Sequence, residues 1–225
     1  MRIGLVSDIH CNIEGLRSAL AAMGDVDALF CAGDLMYEYR FQAEVLDLLR
    51  EREAYIVRGN HDTVLLQHHG ARLLASGKAQ PHHLDMLQDA PTVLTITVQG
   101  KRIFMTHASP WDPPKEYLVP GHPKLVRFQD FDADLVLLGH THHPMAERYG
   151  KTLVVNSGSC GITRNATYFN ELTCAVVDLA SEEVQILHFP DPRLAAGPLT
   201  PSLQTNGVAA TLHTNGNGFH PPQRR

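Results

Sequence analysis

Short polar motifs rich in aspartate and histidine occur at five points along the chain, each directly after a run of apolar residues. Their side chains comprise two aspartates, one asparagine and five histidines, which are residue types able to bind a divalent metal ion. Carboxylate and imidazole ligands suit manganese, iron, zinc or nickel, and the lack of a CxxC pair disfavours a structural thiolate zinc site. The residues concerned are Asp8, His10, Asp34, Asn60, His61, His107, His140 and His142.

The spacing within these motifs favours a centre with two metal ions. In Asp8-x-His10 and in His140-x-His142, alternating residues of an extended segment point to the same side. The carboxylate of Asp34 has two oxygens and can bridge two ions. Two ions about 3.5–4 Å apart can polarise a phosphoryl oxygen and activate a water molecule. Each motif alone is more often structural, so the hypothesis depends on the joint occurrence of all five.

The elements around the motifs predict an α/β fold. Four short apolar runs, at 3–8, 28–34, 54–60 and 134–140, end in motif residues, as expected of strands covered on both faces. Amphipathic helical patterns separate the first three runs, and Asn12 can cap the first helix. This β-α-β-α-β order predicts a parallel sheet whose carboxyl edge is where ligands bind.

The second half of the chain predicts strands with little helix between them. A hairpin is expected around Gln99-Gly100, and further strands at 152–159, 174–179 and 183–189. We therefore expect a mixed β-sandwich, with a parallel half, a more antiparallel half and two packed sheets. Residues 63–90 have a helical pattern and could overhang the site with four histidines, which are His68, His69, His82 and His83.

Composition indicates one soluble domain followed by a tail. The 225 residues are 44% apolar and 19% charged, and a net charge of −5 gives no reason to expect a nucleic acid or a membrane surface as partner. No apolar run approaches the ~18–20 residues that span a bilayer, and the N-terminus lacks a signal-peptide pattern, so we expect a cytoplasmic protein. We predict a catalytic domain over 1–189 and a low-complexity, mostly disordered tail over 190–225.

Taken together, the motifs resemble those of the calcineurin-like metallophosphoesterase superfamily. The segments SDIHCN, VRGNHD, HASP and LLGHTHHP are similar to its small bacterial phosphodiesterase and phosphatase branch. The resemblance spans about 1–189 and implies an α/β fold with a four-layer, two-sheet mixed β-sandwich flanked by helices. It also implies a hydrolase with two divalent ions, preferably manganese, whose bridging hydroxide attacks a small phosphomonoester or phosphodiester.

The resemblance also implies a role for each motif residue. His61 would assist the leaving group, since histidine as a residue type titrates near neutral pH. Two arginines are further candidates for binding the substrate, Arg58 and Arg164, although a surface salt bridge is an equal alternative for Arg58. The first ion would be held by Asp8, His10, Asp34 and His142, and the second by Asp34, Asn60, His107 and His140.

Alternatives stay open at this point. Cys11 stands where this branch commonly has glycine, so its thiol either fills space or acts as a redox-sensitive group. A binding or scaffold protein on the same fold is disfavoured because such relatives lose ligands or the histidine at the position of His61. A nuclease is disfavoured because the body is acidic and only Arg224-Arg225 forms a basic pair near the end. The sequence indicates a small phosphoester as partner and does not indicate an oligomeric state.

Overall fold

Two mixed β-sheets pack face to face and are flanked by helices, in agreement with the predicted α/β fold. The computed structural model describes residues 1–113, 115–163 and 170–194, together with the backbone of 205–207. The helices are α1 (Ile13–Met23), α2 (Ala43–Glu51), α3 (Asn60–Ala75), α4 (Pro81–Asp89) and a 3₁₀ helix (Pro123–Asp130). The strands are β1 (Arg2–Val6), β2 (Ala28–Cys31), β3 (Tyr55–Ile56), β4 (Val93–Val98), β5 (Lys101–Thr106), β6 (Leu135–Leu138), β7 (Pro144–Tyr149), β8 (Thr152–Ser157), β9 (Glu171–Asp178), β10 (Val184–Pro190) and β11 (Thr205–Gly207).

Each sheet combines parallel and antiparallel strands. The first sheet has the order β11-β10-β9-β1-β2-β3, and the second has the order β4-β5-β6-β8-β7. Strands β1, β2 and β3 run parallel, whereas β9 pairs antiparallel with β1 and β10 pairs antiparallel with β9. The boundary between parallel and antiparallel pairing therefore lies within each sheet, and the two halves of the chain share the first sheet.

The alternation of side chains along the strands explains the layers. In β1, Ile3 and Leu5 face the second sheet, whereas Val6 packs against the helices on the other side. In β2, Phe30 lies in the core between the sheets and Cys31 lies under the helices. Because both faces of these strands are buried, their sequences are continuously apolar.

Two local predictions are confirmed by the backbone. The side chain of Asn12 accepts a hydrogen bond from the backbone N–H of Gly15 at 3.0 Å and so caps α1. Gln99 and Gly100 connect β4 to β5 with φ values of 49° and 75°, as a two-residue hairpin turn with left-handed residues requires. The strand expected at 54–60 is shorter, with only Tyr55–Ile56 paired to β2.

The predicted tail is only partly within the described residues. Residues 191–194 belong to the predicted tail and contact the domain. Arg193 donates to the carbonyl oxygen of Gly161 and pairs with Asp191. The backbone of Thr205–Gly207 pairs with β10 as an antiparallel strand. The rest of the tail lies outside the described residues. In the part of the chain that is described, no helix is long and apolar enough to cross a membrane.

Candidate metal centre

The carboxyl ends of strands from both sheets bring the motif residues together. Loops after β1 and β2 and the start of α3 after β3 carry five of them, and loops after β5 and β6 carry the other three. Backbone hydrogen bonds between these loops fix their spacing, including Asp8 N–H to the Gly33 carbonyl at 3.0 Å and Gly139 N–H to the His107 carbonyl at 2.9 Å. The eight residues therefore converge where the two sheets meet, as the strand order predicted.

One group of ligand atoms forms around Asp8, which we call the first cluster. His142 Nε2 lies 3.2 Å from Asp8 Oδ1, and His10 Nε2 lies 3.8 Å from the same oxygen. The Nε2 atoms of His10 and His142 are 3.2 Å apart. These three side chains are buried and offer ligand atoms that all lie within 4.8 Å of one another, so they could hold a metal ion.

A second cluster forms around His107. Its Nε2 atom lies 3.2 Å from Asp34 Oδ2, 3.1 Å from Asn60 Oδ1 and 3.2 Å from His140 Nδ1. Asp34, His107 and His140 are buried and could hold an ion together. The clusters adjoin at Asp34, because Asp34 Oδ2 also lies 3.9 Å from His10 Nε2.

Hydrogen bonds to backbone carbonyls set the imidazole orientations. Nδ1 of His107 donates to the carbonyl oxygen of Ala32 at 2.7 Å, and Nδ1 of His142 donates to that of Ile162 at 2.7 Å. In a neutral imidazole this leaves Nε2 with its lone pair directed into the cluster. A proton on Nδ1 is thus the state that a metal ligand bound through Nε2 requires.

In each of the two aspartates, one carboxylate oxygen accepts hydrogen bonds and the other faces the ligand atoms. Asp8 Oδ2 accepts hydrogen bonds from Ser7 Oγ and from His140 N–H, whereas its buried Oδ1 has no hydrogen-bond partner among the described residues. Asp34 Oδ1 accepts from His61 N–H at 2.9 Å, which leaves Oδ2 facing both clusters. A buried carboxylate oxygen without a partner is costly, and a cation would satisfy it. The residues therefore fit a metal ion.

The backbone at the clusters is held in an uncommon conformation. Asp8, His10, Asp34, His140 and His142 have φ values between 48° and 68° although none is glycine. Such left-handed residues are mildly strained and often occur at functional sites. The surrounding structure must hold these loops in place to direct the side chains inward.

Glycines next to the ligands permit close approach of the loops. A Cβ at Gly59 would collide with the carboxylate and backbone nitrogen of Asp34, and a Cβ at Gly139 would collide with Ser7 Oγ. Gly59 has φ −87°, so its requirement for glycine comes from contact rather than from backbone conformation.

Burial and charge place Asp8, His10 and His140 in protonation states that suit a metal. Burial lowers the pKa of His10 to about 4 despite the nearby carboxylates, and burial with the neighbouring His107 lowers that of His140 to about 4. Burial would raise the pKa of Asp8, but the facing imidazoles hold it well below its ordinary value. Neutral imidazole and ionised carboxylate are the ligating forms.

His107 differs from the other imidazoles. Burial opposes its positive charge, but Asp34 outweighs that effect and raises the pKa of His107 above its ordinary value. A cation in the second cluster would compete with the proton on this ring, because metal binding requires the deprotonated nitrogen.

His61 lies at the edge of the clusters. Its Nε2 is 3.9 Å from Asp34 Oδ2, and its Nδ1 is 3.5 Å from Glu38 Oε1. The side chain is 15% exposed and its ring packs 5.0 Å from that of Tyr37. His61 is therefore placed to contact a molecule that enters from solvent.

Asp62 supports the site although its sequence position alone did not indicate a role. Its buried carboxylate accepts hydrogen bonds from the backbone N–H of Met36 at 2.9 Å and of Gly59 at 3.0 Å. It thereby ties the loop after β2 to the start of α3. Burial and Asp34 raise the pKa of Asp62 to about 6. An aspartate two residues after Asn60, at the start of a helix, is a capping signal that could have indicated this role.

The other predicted histidines lie elsewhere. His83 Nδ1 accepts from Gln80 N–H at 3.1 Å, so in the neutral ring Nε2 carries the proton and donates to Asp47 at 3.2 Å. His82 lies 3.7 Å from the same carboxylate, and His69 packs against Tyr39. The contacts of His82 and His83 with Asp47 join α4 to α2, and these three side chains form a separate group that could itself hold an ion. Neither they nor His68 belong to the two clusters.

Arg58 is directed away from the two clusters. Arg58 Nη1 donates to the carbonyl oxygens of Gln88 at 3.1 Å and Leu87 at 3.4 Å, at the end of α4. It thus satisfies helix-terminal carbonyls, as a cation near a helix C-terminus commonly does. Arg164 lies outside the described residues, and its role stays a prediction.

Cys11 follows His10 of the first cluster directly in the sequence, but its thiol contacts the loop after β2. Its Sγ lies 3.1 Å from the carbonyl oxygen of Arg40 and 3.7 Å from Met36 Sδ. Burial raises the pKa of this thiol to about 11. The space-filling alternative is therefore favoured, because reactive cysteines have lowered pKa values.

Fold and site together define a two-sheet α/β protein with aspartate and histidine side chains that could hold metal at the carboxyl ends of strands from both sheets. The chain belongs to the family described as calcineurin-like phosphoesterase superfamily domain, whose profile matches residues 1–182. The resemblance seen in the sequence is confirmed at this level.

Individual proteins are similar to this chain in sequence or in fold. The chain is 27% identical over 180 residues to the uncharacterized protein MJ0912 of Methanocaldococcus jannaschii, which covers 74% of this chain and 72% of that protein. Among solved structures, it is similar to a metallophosphoesterase from Sphaerobacter thermophilus, with a TM-score of 0.68, 24% identity and coverage of 83% of this chain and 87% of that one. It is also similar to a novel archaeal phosphodiesterase, with a TM-score of 0.56, 19% identity and coverage of 84% and 99%. The two structural likenesses show the metallophosphoesterase fold.

Proposed function

We propose that this protein is a phosphoesterase that hydrolyses a small phosphomonoester or phosphodiester with two divalent metal ions, preferably manganese. The observation that carries the proposal is the position of Asp34. Its Oδ2 atom lies 3.2 Å from His107 Nε2 in the second cluster and 3.9 Å from His10 Nε2 beside the first. One carboxylate placed between two sets of ligand atoms is what a shared ligand of two ions requires. The cytoplasmic location expected from the sequence is part of this proposal.

The ligand sets of the proposal follow the two clusters. When bound, such ions polarise a phosphoryl oxygen and lower the pKa of water so that a nucleophile forms at neutral pH. The chain's contribution is to hold ligand atoms at fixed separations through buried, hydrogen-bonded side chains. The first site comprises Asp8, His10, Asp34 and His142, and the second comprises Asp34, Asn60, His107 and His140.

His61 is the proposed proton donor to the departing oxygen. Two contacts hold this residue. Its backbone N–H donates to Asp34 Oδ1 at 2.9 Å, and its ring Nδ1 lies 3.5 Å from Glu38 Oε1. Nε2, the other ring nitrogen, lies on the side of the clusters and can carry a proton to a leaving group. General acid catalysis of this kind contributes about 10²–10⁴-fold.

Activity and metal content measured together test the proposal. Manganese-loaded protein is assayed with p-nitrophenyl phosphate and with bis(p-nitrophenyl) phosphate, and its metal content is determined by mass spectrometry. We expect hydrolysis of at least one substrate and about two metal ions per chain. A protein that contains two manganese ions and hydrolyses neither ester would contradict the proposal.

The His61→Ala variant tests the assigned proton donor. It should keep its metal content but lose about 100-fold or more in kcat, with a larger loss for phenyl phosphate than for p-nitrophenyl phosphate, because the poorer leaving group needs protonation more. His68→Ala, on the same helix and outside both clusters, is the matched control. Full activity of His61→Ala with every substrate would show that the assigned role is wrong.

A further inference from the structure

A cavity of about 430 Å³ opens beside the second cluster. Two of its lining residues, Asn60 and His140, belong to that cluster. A third and a fourth, Thr63 and Val64, come from the first turns of α3. The remaining two, Lys115 and Tyr117, follow β5 and have no part in the proposed catalytic steps. The volume is in the range of small-molecule sites.

The segment that carries Lys115 and Tyr117 is anchored by Glu116, which lies between them, and by Leu118, which follows. Ser109 Oγ donates to Glu116 Oε2 at 2.6 Å, and Lys124 pairs with the same carboxylate. Leu118 is 1% exposed and packs in the core beneath the second sheet. The segment is therefore held in place before any ligand binds, which lowers the entropic cost of binding.

Lys115 and Tyr117 themselves project from this anchored segment. Tyr117 is 49% exposed, and its ring centroid lies 4.0 Å from that of His140, with 37° between the ring planes. The ring thus lies directly beside the second cluster and still presents an open surface. Among the described residues that line the cavity, Lys115 supplies the formal positive charge.

We propose that Lys115 and Tyr117 determine which phosphoesters the site accepts, and this rests on the proposed function. Lys115 pairs with an anionic oxygen of the phosphoryl group, as charge-assisted hydrogen bonds favour. Tyr117 packs against a planar aryl or heteroaryl group on the ester oxygen, because aromatic pairs add to the apolar area buried. The preferred substrate class is therefore phosphoesters of aromatic or heteroaromatic groups over those of short alkyl groups.

Binding of non-hydrolysable phosphonates tests this inference without requiring catalysis. Phenylphosphonate and methylphosphonate are titrated calorimetrically into the manganese-loaded full chain. We expect phenylphosphonate to bind about fivefold more tightly than methylphosphonate. Tyr117→Leu should bring that ratio close to one, whereas Tyr117→Phe should keep it. Lys115→Met should weaken both phosphonates about tenfold and leave the ratio unchanged.

The controls separate binding from support of the metal site. Tyr39→Leu and Lys78→Met, which change an exposed tyrosine and an exposed lysine outside this cavity, should behave as wild type. Manganese affinity should be unchanged in Tyr117→Leu. If that affinity falls instead, and both phosphonates weaken equally, Tyr117 acts only by packing against His140 and the inference is wrong.

The outcomes also distinguish this inference from the proposed function. Hydrolysis of phosphoesters without a phenyl preference would overturn the roles of Lys115 and Tyr117 and leave the proposed function intact. A phenyl preference lost in Tyr117→Leu, in a protein that hydrolyses no ester, would support the pocket and contradict the proposed function. Failure of the loaded protein to bind either phosphonate would overturn the inference.

Discussion

Asp34 Oδ2 lies 3.2 Å from His107 Nε2, although the two residues follow strands of different sheets. The other oxygen of Asp34 is occupied by the backbone N–H of His61. The carboxylate is thus fixed by the first sheet while its free oxygen faces an imidazole of the second. Because the two oxygens of Asp34 make different contacts, a substitution at this position is the most informative.

Asp34→Asn should reduce metal content from about two ions per chain to one or fewer, and hydrolysis by at least about 100-fold. An amide can still accept from His61 N–H through its oxygen, but it then turns an NH₂ group, which binds no metal, toward the clusters. Metal analysis after manganese loading and desalting measures the change. Asp132→Asn, at a side chain that is 76% exposed, is the control. Two tightly bound ions in Asp34→Asn would refute the shared-ligand assignment.

Manganese should raise the melting temperature of the metal-free protein. The buried Asp8 Oδ1 has no hydrogen-bond partner in the described part of the chain, so a cation that binds it stabilises the folded state alone. At 100 times Kd, a single-site ligand adds about 2.7 kcal/mol, which is roughly 5–10 °C for a chain of this size. Thermal melts with and without a chelator measure this. Calcium, which prefers oxygen ligands, should have a much smaller effect. Indifference to manganese would favour a scaffold protein.

Gly59→Ala should destabilise the protein by about 1–3 kcal/mol and weaken manganese binding, because the new Cβ collides with Asp34. Gly70→Ala provides the matched comparison within α3, since its Cβ would meet only Leu84 Cδ1 at 3.7 Å. That change should be neutral or stabilise by about 0.5–1 kcal/mol, through the better helix propensity of alanine. Denaturant unfolding and manganese titration measure both variants. Equal behaviour of the two would show that the close approach of Gly59 and Asp34 is unimportant.

Cys11→Ala should retain kcat/KM within about twofold, and the wild-type Cys11 thiol should react slowly with iodoacetamide at pH 7.5. Burial raises its pKa to about 11, so the nucleophilic thiolate is scarce at that pH. Peptide mapping after alkylation measures the rate at this position. Rapid modification of Cys11 with loss of activity, prevented by the alanine variant, would support the redox-sensitive alternative instead.

The two-sheet α/β fold could be predicted from the sequence, whereas the order of the strands within each sheet could not. Asp8, Asp34 and His140 could be placed because each follows an apolar run, and parallel strands align their carboxyl ends. The membership of β9 in the first sheet could not be predicted, because it depends on non-local pairing along β1. Local periodicity carries no information on which edge a later strand joins.

Residues that act through tertiary contacts were also out of reach. Lys115 and Tyr117 lie in an irregular segment, and the fold brings them to the same cavity as His140. His83 carried the same residue type as the ligands, yet its hydrogen bond from Gln80 gives it a structural role. Residue type suggests possible chemistry, and position in the fold decides whether that chemistry is available.

The meeting of two sheets at the clusters has a mechanical consequence. Each cluster takes aspartate from loops of the first sheet and histidine from loops of the second, so neither sheet alone contains a complete set of ligands. An ion bound in either cluster would therefore link the two sheets. A shift of one sheet relative to the other would change the distances between its ligand atoms. The affinity for the metal would therefore depend on how tightly the two sheets pack against each other.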